Sequence, residues 1–162
     1  MECLLEDLIR HIHNNMPELE VVDEDYGQLE MLQQEQQDTY PITFPAVLID
    51  TPSVEWSNTG ELSQQGVASI RVRLIIDCYD DTHSSSGTTY KIAEREKVRH
   101  KLHTLLQGFS ANNSILMRQS SRFYTATHNL KVYEETNTSM ITEQVDKVTL
   151  AIKVKPKIKV GV

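Results

Sequence analysis

Gly66–Tyr79, GVASIRVRLIIDCY, decides how the chain is read. Ala68, Ile70, Val72, Leu74, Ile76 and Cys78 fall on one side of an extended backbone. Ser69, Arg71, Arg73, Ile75, Asp77 and Tyr79 fall on the other. Successive side chains alternate across a strand, so this period of two predicts a long strand with one face in a core. The second face is mixed rather than polar, which predicts partial cover there too. No other stretch is as long and as apolar. It is therefore read as the central strand of a single sheet.

Upstream, Phe44–Asp50, FPAVLID, is a second strand, with Pro45 near its start, where a missing N–H does least harm. Ser53–Trp56 continues it after Pro52. Asn58–Gln65 is a turn, so this strand and the central one are expected to pair as an antiparallel hairpin with a wide loop. Glu2 to about Asn14 reads as a helix, because Leu4, Leu5, Leu8, Ile9 and Ile12 make one apolar stripe; Pro17 stops it. Leu19–Val22 is a short strand. Asp23–Asp38 is polar and glutamine-rich, a loop with a helical turn around Leu29–Leu32, expected to stay mobile until a partner covers it.

Downstream, Asp80–Thr89 is a polar loop, and a second helix runs from about Thr89 to Gln107. Val98, Leu102, Leu105 and Leu106 form its stripe, while the charged first half, KIAEREK, packs weakly. Gly108 is placed to end it in the left-handed conformation, with Phe109 folding back on the last turn. Arg122–Tyr133 and Thr142–Val154 read as the last two strands, with a turn at Glu134–Ser139 between them. The order α-β-β-α-β-β predicts an α+β fold: two helices packed on a mostly antiparallel sheet of four strands or slightly more. One domain spans 1–162, ending in a basic arm from about 153 to 162.

A chain of 162 residues buries a real core without disulfides or metal. Mean hydropathy is −0.40, and there is no apolar run of about 18 residues, so no membrane span is expected. The N-terminus lacks the basic start and small-residue cleavage site of a signal peptide, which predicts synthesis and retention in the cytoplasm. Cys3 and Cys78 are far apart and in no CxxC pattern, and are read as reduced thiols.

Tests for chemistry return little. His11 and His13 point apart on a helix; His100 and His103 share a face but lack further zinc ligands. Asp77, Asp80 and Asp81 cluster at the end of the central strand, where carboxylates can hold a divalent cation. No acid and lysine two apart on a neighbouring strand complete a nuclease core. Ser84, Ser85, Ser86 and Gly87 match neither a nucleophile elbow nor a phosphate loop. Arg95, Lys97, Arg99 and Lys101 crowd the second helix, yet Glu94 and Glu96 interleave and the net charge is −7, which disfavours nucleic-acid binding. No catalytic residue, metal ligand or cofactor is assigned.

Charge is unevenly placed. Between His11 and Ile70 there are eleven acids and no Lys or Arg. After Asp146 come Lys147, Lys153, Lys155, Lys157 and Lys159 and no acid. Such a split can be satisfied between copies, as a heterologous contact that closes into a ring. Lys153, Lys155, Lys157 and Lys159, with Arg71 and Arg73, are the candidate interface residues. The lysine-fringed tail KVKPKIKV reads either as a protected edge strand or as an arm adding to a neighbour's sheet.

Several features together resemble one family. They are the N-terminal helix, an acidic segment ending at Gly27-Gln28, the run Phe44-Pro45-Ala46-Val47-Leu48-Ile49 and the Gln65-Gly66 entry into the long strand. A Ser/Gly loop then leads to a helix ending Leu105-Leu106-Gln107-Gly108-Phe109. This pattern resembles the tail terminator (tail completion) proteins of long-tailed bacteriophages and prophages, over most of the chain. The resemblance implies an α+β fold and no enzymatic activity. It implies a hexameric ring that caps the tail tube and joins it to the head, with tail tube protein and head-connector protein as partners. The place of action would be the virion, after synthesis in the bacterial cytoplasm, with DNA at most passing through an acid-walled channel. The C-terminal lysine arm has no counterpart in the resemblance. Two other readings stay open: another small phage neck or tail-tube structural protein, and a metal-dependent enzyme using Asp77, Asp80 and Asp81.

Overall fold

A computed structural model describes residues 2–33, 42–111 and 114–145. In chain order the elements are α1 (Glu2–Asn15), β1 (Val21–Glu24), α2 (Gln28–Gln33), β2 (Ala46–Ile49), β3 (Ser53–Gly60) and β4 (Ser63–Asp77). They continue with α3 (Tyr90–Leu106), β5 (Ser110–Ala111), β6 (Ser114–Ile115), β7 (Met117–Thr125) and β8 (Leu130–Gln144). The fold is α+β. Its six-stranded sheet has the order β1-β2-β4-β8-β7, with β3 on the same edge of β4 as β2. Only β1 and β2 run parallel; every other pairing in the sheet is antiparallel. A separate two-stranded ribbon joins β5 to β6.

The central strand sets this layout. β4 pairs with β8 along its whole length, from Ser63↔Gln144 to Asp77↔Leu130. Its front face, Ile70, Val72, Leu74 and Ile76, is buried against Leu4, Leu5, Leu8 and Ile12 of α1 and Leu102 and Leu106 of α3. The back face is covered as well, at one end. There Ile75 joins Leu48, Leu130 and Val132 under Leu29 of α2.

Several sequence expectations hold in detail. α1 runs one residue past its expected end and buries the expected stripe. α3 packs by its second half, its buried residues being Leu102 and Leu106. Gly108 has φ +80° and donates its N–H to the Leu116 carbonyl, 2.8 Å away. Phe109, expected against the last turn of α3, meets α1, its ring centroid 4.6 Å from that of His11.

Others are corrected. β3 is a strand of eight residues, and the hairpin turn into β4 is only Glu61 and Leu62, not a wide loop. The described part of the glutamine-rich segment is packed: Gln28 and Leu29 are buried, and the Gln28 side chain bridges the Tyr26 N–H and the Glu24 carbonyl. The last hairpin is displaced. Its turn lies at Ala126–Asn129, where His128 and Asn129 have positive φ, and Glu134–Ser139 is the middle of β8. Those polar residues form strand because β8 buries Glu134 and Glu135 against arginines, as described below. Of the expected strand Thr142–Val154, residues 146–154 lie outside the described residues, as does the basic arm.

Gly66 shows how tightly β3 sits on β4. A Cβ there would lie 2.8 Å from Trp56 Cε3 and would also run into Val54. Gly66→Ala is expected to destabilise the fold by about 1–3 kcal/mol, because neither the indole nor the β-branched valine can retreat without leaving its place on the strand. Thermal unfolding followed by circular dichroism measures this, and an unchanged midpoint would refute the close packing.

Candidate assembly surface

The sheet has two unlike halves. Where β4 runs from Val72 to Asp77, helices cover both faces. Where it runs from Ser63 to Ser69, beside β3 and the second half of β8, the back face has no cover among the described residues. Val67 stands directly opposite Met140, and Met117 pairs with Thr138 on the same face. These three side chains are 47%, 58% and 57% exposed. Opposite and diagonal strand neighbours of this kind lie within about 4.5–8 Å, so they form one apolar patch. Trp56, Leu62 and Val145 add exposed apolar surface at the same end. Around them the platform is held by short polar contacts, Gln64 to Asn58 at 2.9 Å and Thr59 to Ser63 at 3.1 Å.

The covered half is pinned by buried charge. On the back face Arg73 donates through Nε to Asp25 at 2.6 Å, and through Nη1 and Nη2 to Glu30 at 2.5 and 3.1 Å. The Arg73 and Asp25 side chains are each only 3% exposed. Despite its burial, the two carboxylates hold the Arg73 guanidinium firmly protonated, above its ordinary range. The Arg73 hydrogen bonds hold Glu30 below the usual carboxylate range. Arg71, one turn of the pleat away, pairs with Asp50 at 2.6 Å and is partly exposed. Burial pushes the Asp50 carboxyl up; Arg71 opposes the rise and Asp25 adds to it.

β8 carries a second set. Glu134 faces the back and pairs with Arg122 of β7 at 3.1 Å. Glu135 faces the front and meets Arg118 at 3.1 Å, His103 at 3.3 Å and Arg99 at 3.7 Å. Adjacent strand residues point to opposite faces, so each carboxylate has its own cations. Further along the front, Asn137 is fully buried, and neither polar atom of its side chain has a partner among the described residues.

The sequence-derived candidates therefore separate. Arg71 and Arg73 share a face, as expected, but Arg73 is consumed by contacts within the chain, which the one-dimensional charge count could not reveal. Lys153, Lys155, Lys157 and Lys159 lie outside the described residues. Asp80 and Asp81 border a 280 Å³ recess that Arg95 and Lys131 also line, so cations already face them. Asp81 also lies 3.1 Å from His83. Among the described residues no three His, Cys, Asp or Glu side chains converge as metal ligands. Burial pushes the Cys78 thiol up, away from the reactive thiolate. On α3, Arg99 and Lys101 are engaged by Glu96 and Glu18. No helix among the described residues is long and apolar enough to cross a membrane. Sequence reading missed the apolar patch. Its signal was present in Val67 and Met140, which interrupt otherwise polar stretches.

No family model matches the chain. No curated protein matches it either. Among solved structures, it is similar to a chain of the "virion of native gene transfer agent (GTA) particle", with 10% identity, a TM-score of 0.45 and 84% of each chain covered.

Glu30→Gln tests the Arg73 cluster. A carboxylate whose pKa is depressed by folding contributes stability above its unfolded value and loses it as pH falls through the folded value. The wild type is expected to melt above the variant at neutral pH, with the gap closing as the medium is acidified below about pH 4. A gap that stays constant well below about pH 4 would remove the ion pair as its source. Arg73→Ala leaves Asp25 buried without its cation, at a cost of about 3–5 kcal/mol in chemical denaturation.

Proposed function

We propose that this chain is a structural assembly protein of a phage-like particle: a ring-forming tail terminator that caps the tail tube and joins it to the head connector. The observation that carries the assembly reading is the uncovered end of the sheet. A monomer built only to be stable does not leave Val67, Met117 and Met140 together on an open strand surface. The same end carries the β3–β4 turn and the exit of β8, so the platform reaches outward from the helical layers. The step from assembly protein to tail terminator rests on the sequence resemblance.

The reading is non-catalytic. The carboxylates that a metal-dependent reaction would use, Asp80 and Asp81, share their recess with Arg95 and Lys131. Arg71, Arg73, Glu134 and Glu135 of the covered half are tied in ion pairs within the chain. The ring is taken to be a hexamer, with separate faces for the tube protein and the connector protein.

Light scattering across a concentration series is expected to give a discrete mass of six chains, and electron microscopy a ring with a central opening. The double substitution Val67→Lys, Met140→Glu keeps the strands together, because opposite charges directly across a pair contribute about 0.2–1 kcal/mol. It also removes the apolar patch. The expected result is an unchanged melting midpoint with loss of the ring. A variant that still assembles would exclude the patch as the ring contact.

A further inference from the structure

We propose that residues 146–162 of one copy add as a strand to the β1 edge of the next copy, making an arm-to-edge contact that links subunits in a ring. This deepens the assembly reading and rests on it.

β1 ends the sheet among the described residues. Its ladder runs to β2 on one side only, and the flanking bonds, Glu20 N–H to Pro45 and Asp25 N–H to Ile49, lie on that same side. An open edge of this kind is a template for another strand. This edge is also acidic. Glu18 and Asp25 at its flanks are neutralised by Lys101 and Arg73. Glu20 and Glu24, which alternate onto the front face with Val22, have no cation partner among the described residues, and nor does Asp23 on the back face.

The arm has the complementary chemistry. From Lys147 to Val160 every even position is apolar or proline: Val148, Leu150, Ile152, Val154, Pro156, Ile158 and Val160. The odd positions are Lys, Thr or Ala. That is the pattern of a strand with one apolar and one cationic side, and strand addition draws affinity from main-chain bonds and specificity from alternate side chains. The other strands with an open edge offer less to a cationic arm: β3 holds a single acid, Glu55, and β7 holds none.

Reach favours the neighbouring copy. β8 leaves the sheet at Val145, whose N–H bonds to the Leu62 carbonyl at the far tip of the platform. β1 lies level with Val72–Ile75 of β4, through β2. At about 3.4 Å per residue and about 4.8 Å per strand, Glu24 is more than 30 Å back along the sheet and three strands across. Within one chain, about the first ten arm residues would serve as connector, since an extended residue spans about 3.3–3.6 Å. Only Lys157 and Lys159 would then meet the acids. Between copies the whole alternating run is free to pair.

The test is a pair of charge reversals on the full chain, read by light scattering. One variant carries Glu20→Lys and Glu24→Lys, on one face of the edge; the other carries Lys153→Glu, Lys155→Glu, Lys157→Glu and Lys159→Glu. Each alone is expected to lose the assembled mass while keeping its melting midpoint. Mixed in equal amounts they are expected to recover it, because each arm then meets an edge of opposite charge on the other variant. Amide exchange at Val21–Glu24 is expected to be slower in the assembled wild type and in the mixture than in either charge-reversed variant alone. Assembly that survives both reversals overturns the proposal and leaves the ring reading standing. Loss of mass without recovery on mixing overturns pairing between copies. A wild type that is monomeric at every concentration overturns the arm contact and the self-assembled ring together.

Discussion

The pairing of β4 with β8 is the constraint from which the other elements take their places. The two strands match residue for residue over the full length of β4, from Ser63 to Asp77. Two strands this long, about 50 Å, exceed what one layer of short helices can cover. The helices therefore gather at one end, where Val72, Leu74 and Ile76 face α1 and α3 and Ile75 faces α2. At the other end the back face is bare, and the strands are held by the backbone ladder, small polar contacts and the packing of Trp56 and Val54 against Gly66. A covered half and a bare half thus follow from one mismatch of lengths.

The ladder also explains the buried charges. β8 must remain extended through Glu134 and Glu135 if it is to stay in register with Val72 and Arg73. A buried carboxylate is tolerated only when paired and hydrogen-bonded. Alternation sends one glutamate to each face, and Arg122 and Arg118, four apart on β7, meet them there. The same positions are two-faced because a bulge between Arg118 and Ser120 resets the alternation along β7.

What was legible in the sequence was the part governed by a single period. The alternation of Gly66–Tyr79, the stripe of α1 and the second half of α3 each follow from apolar spacing, and Gly108 from backbone freedom. The hairpin turn was misplaced because Glu134, Glu135, Thr136 and Asn137 have the composition of a loop. The information that makes them strand resides in Arg99, Arg118 and Arg122, far from them in sequence. Arg73 was a candidate for a contact between copies for a related reason. Its partners Asp25 and Glu30 lie more than forty residues away, and no local pattern joins them. The apolar patch was hidden differently: Val67 and Met140 are single apolar residues until the register places them opposite one another.

Much of the charge split dissolves on folding. β4 and α3 carry cations back to the acidic first half: Arg73 to Asp25 and Glu30, Arg71 to Asp50, and Lys101 to Glu18. The long-range asymmetry read from the sequence is therefore smaller in space than along the chain. Beyond about 8–10 Å, salt screens the remainder. Among the described acids of that half, Glu20, Asp23 and Glu24 at the β1 edge keep no cation, as do Glu55 and Glu61 on and after β3. Charge that is screened at a distance and unneutralised at an open strand edge acts by selecting what touches that edge. It favours a cationic strand over an anionic or neutral one, which is a statement about specificity more than about affinity.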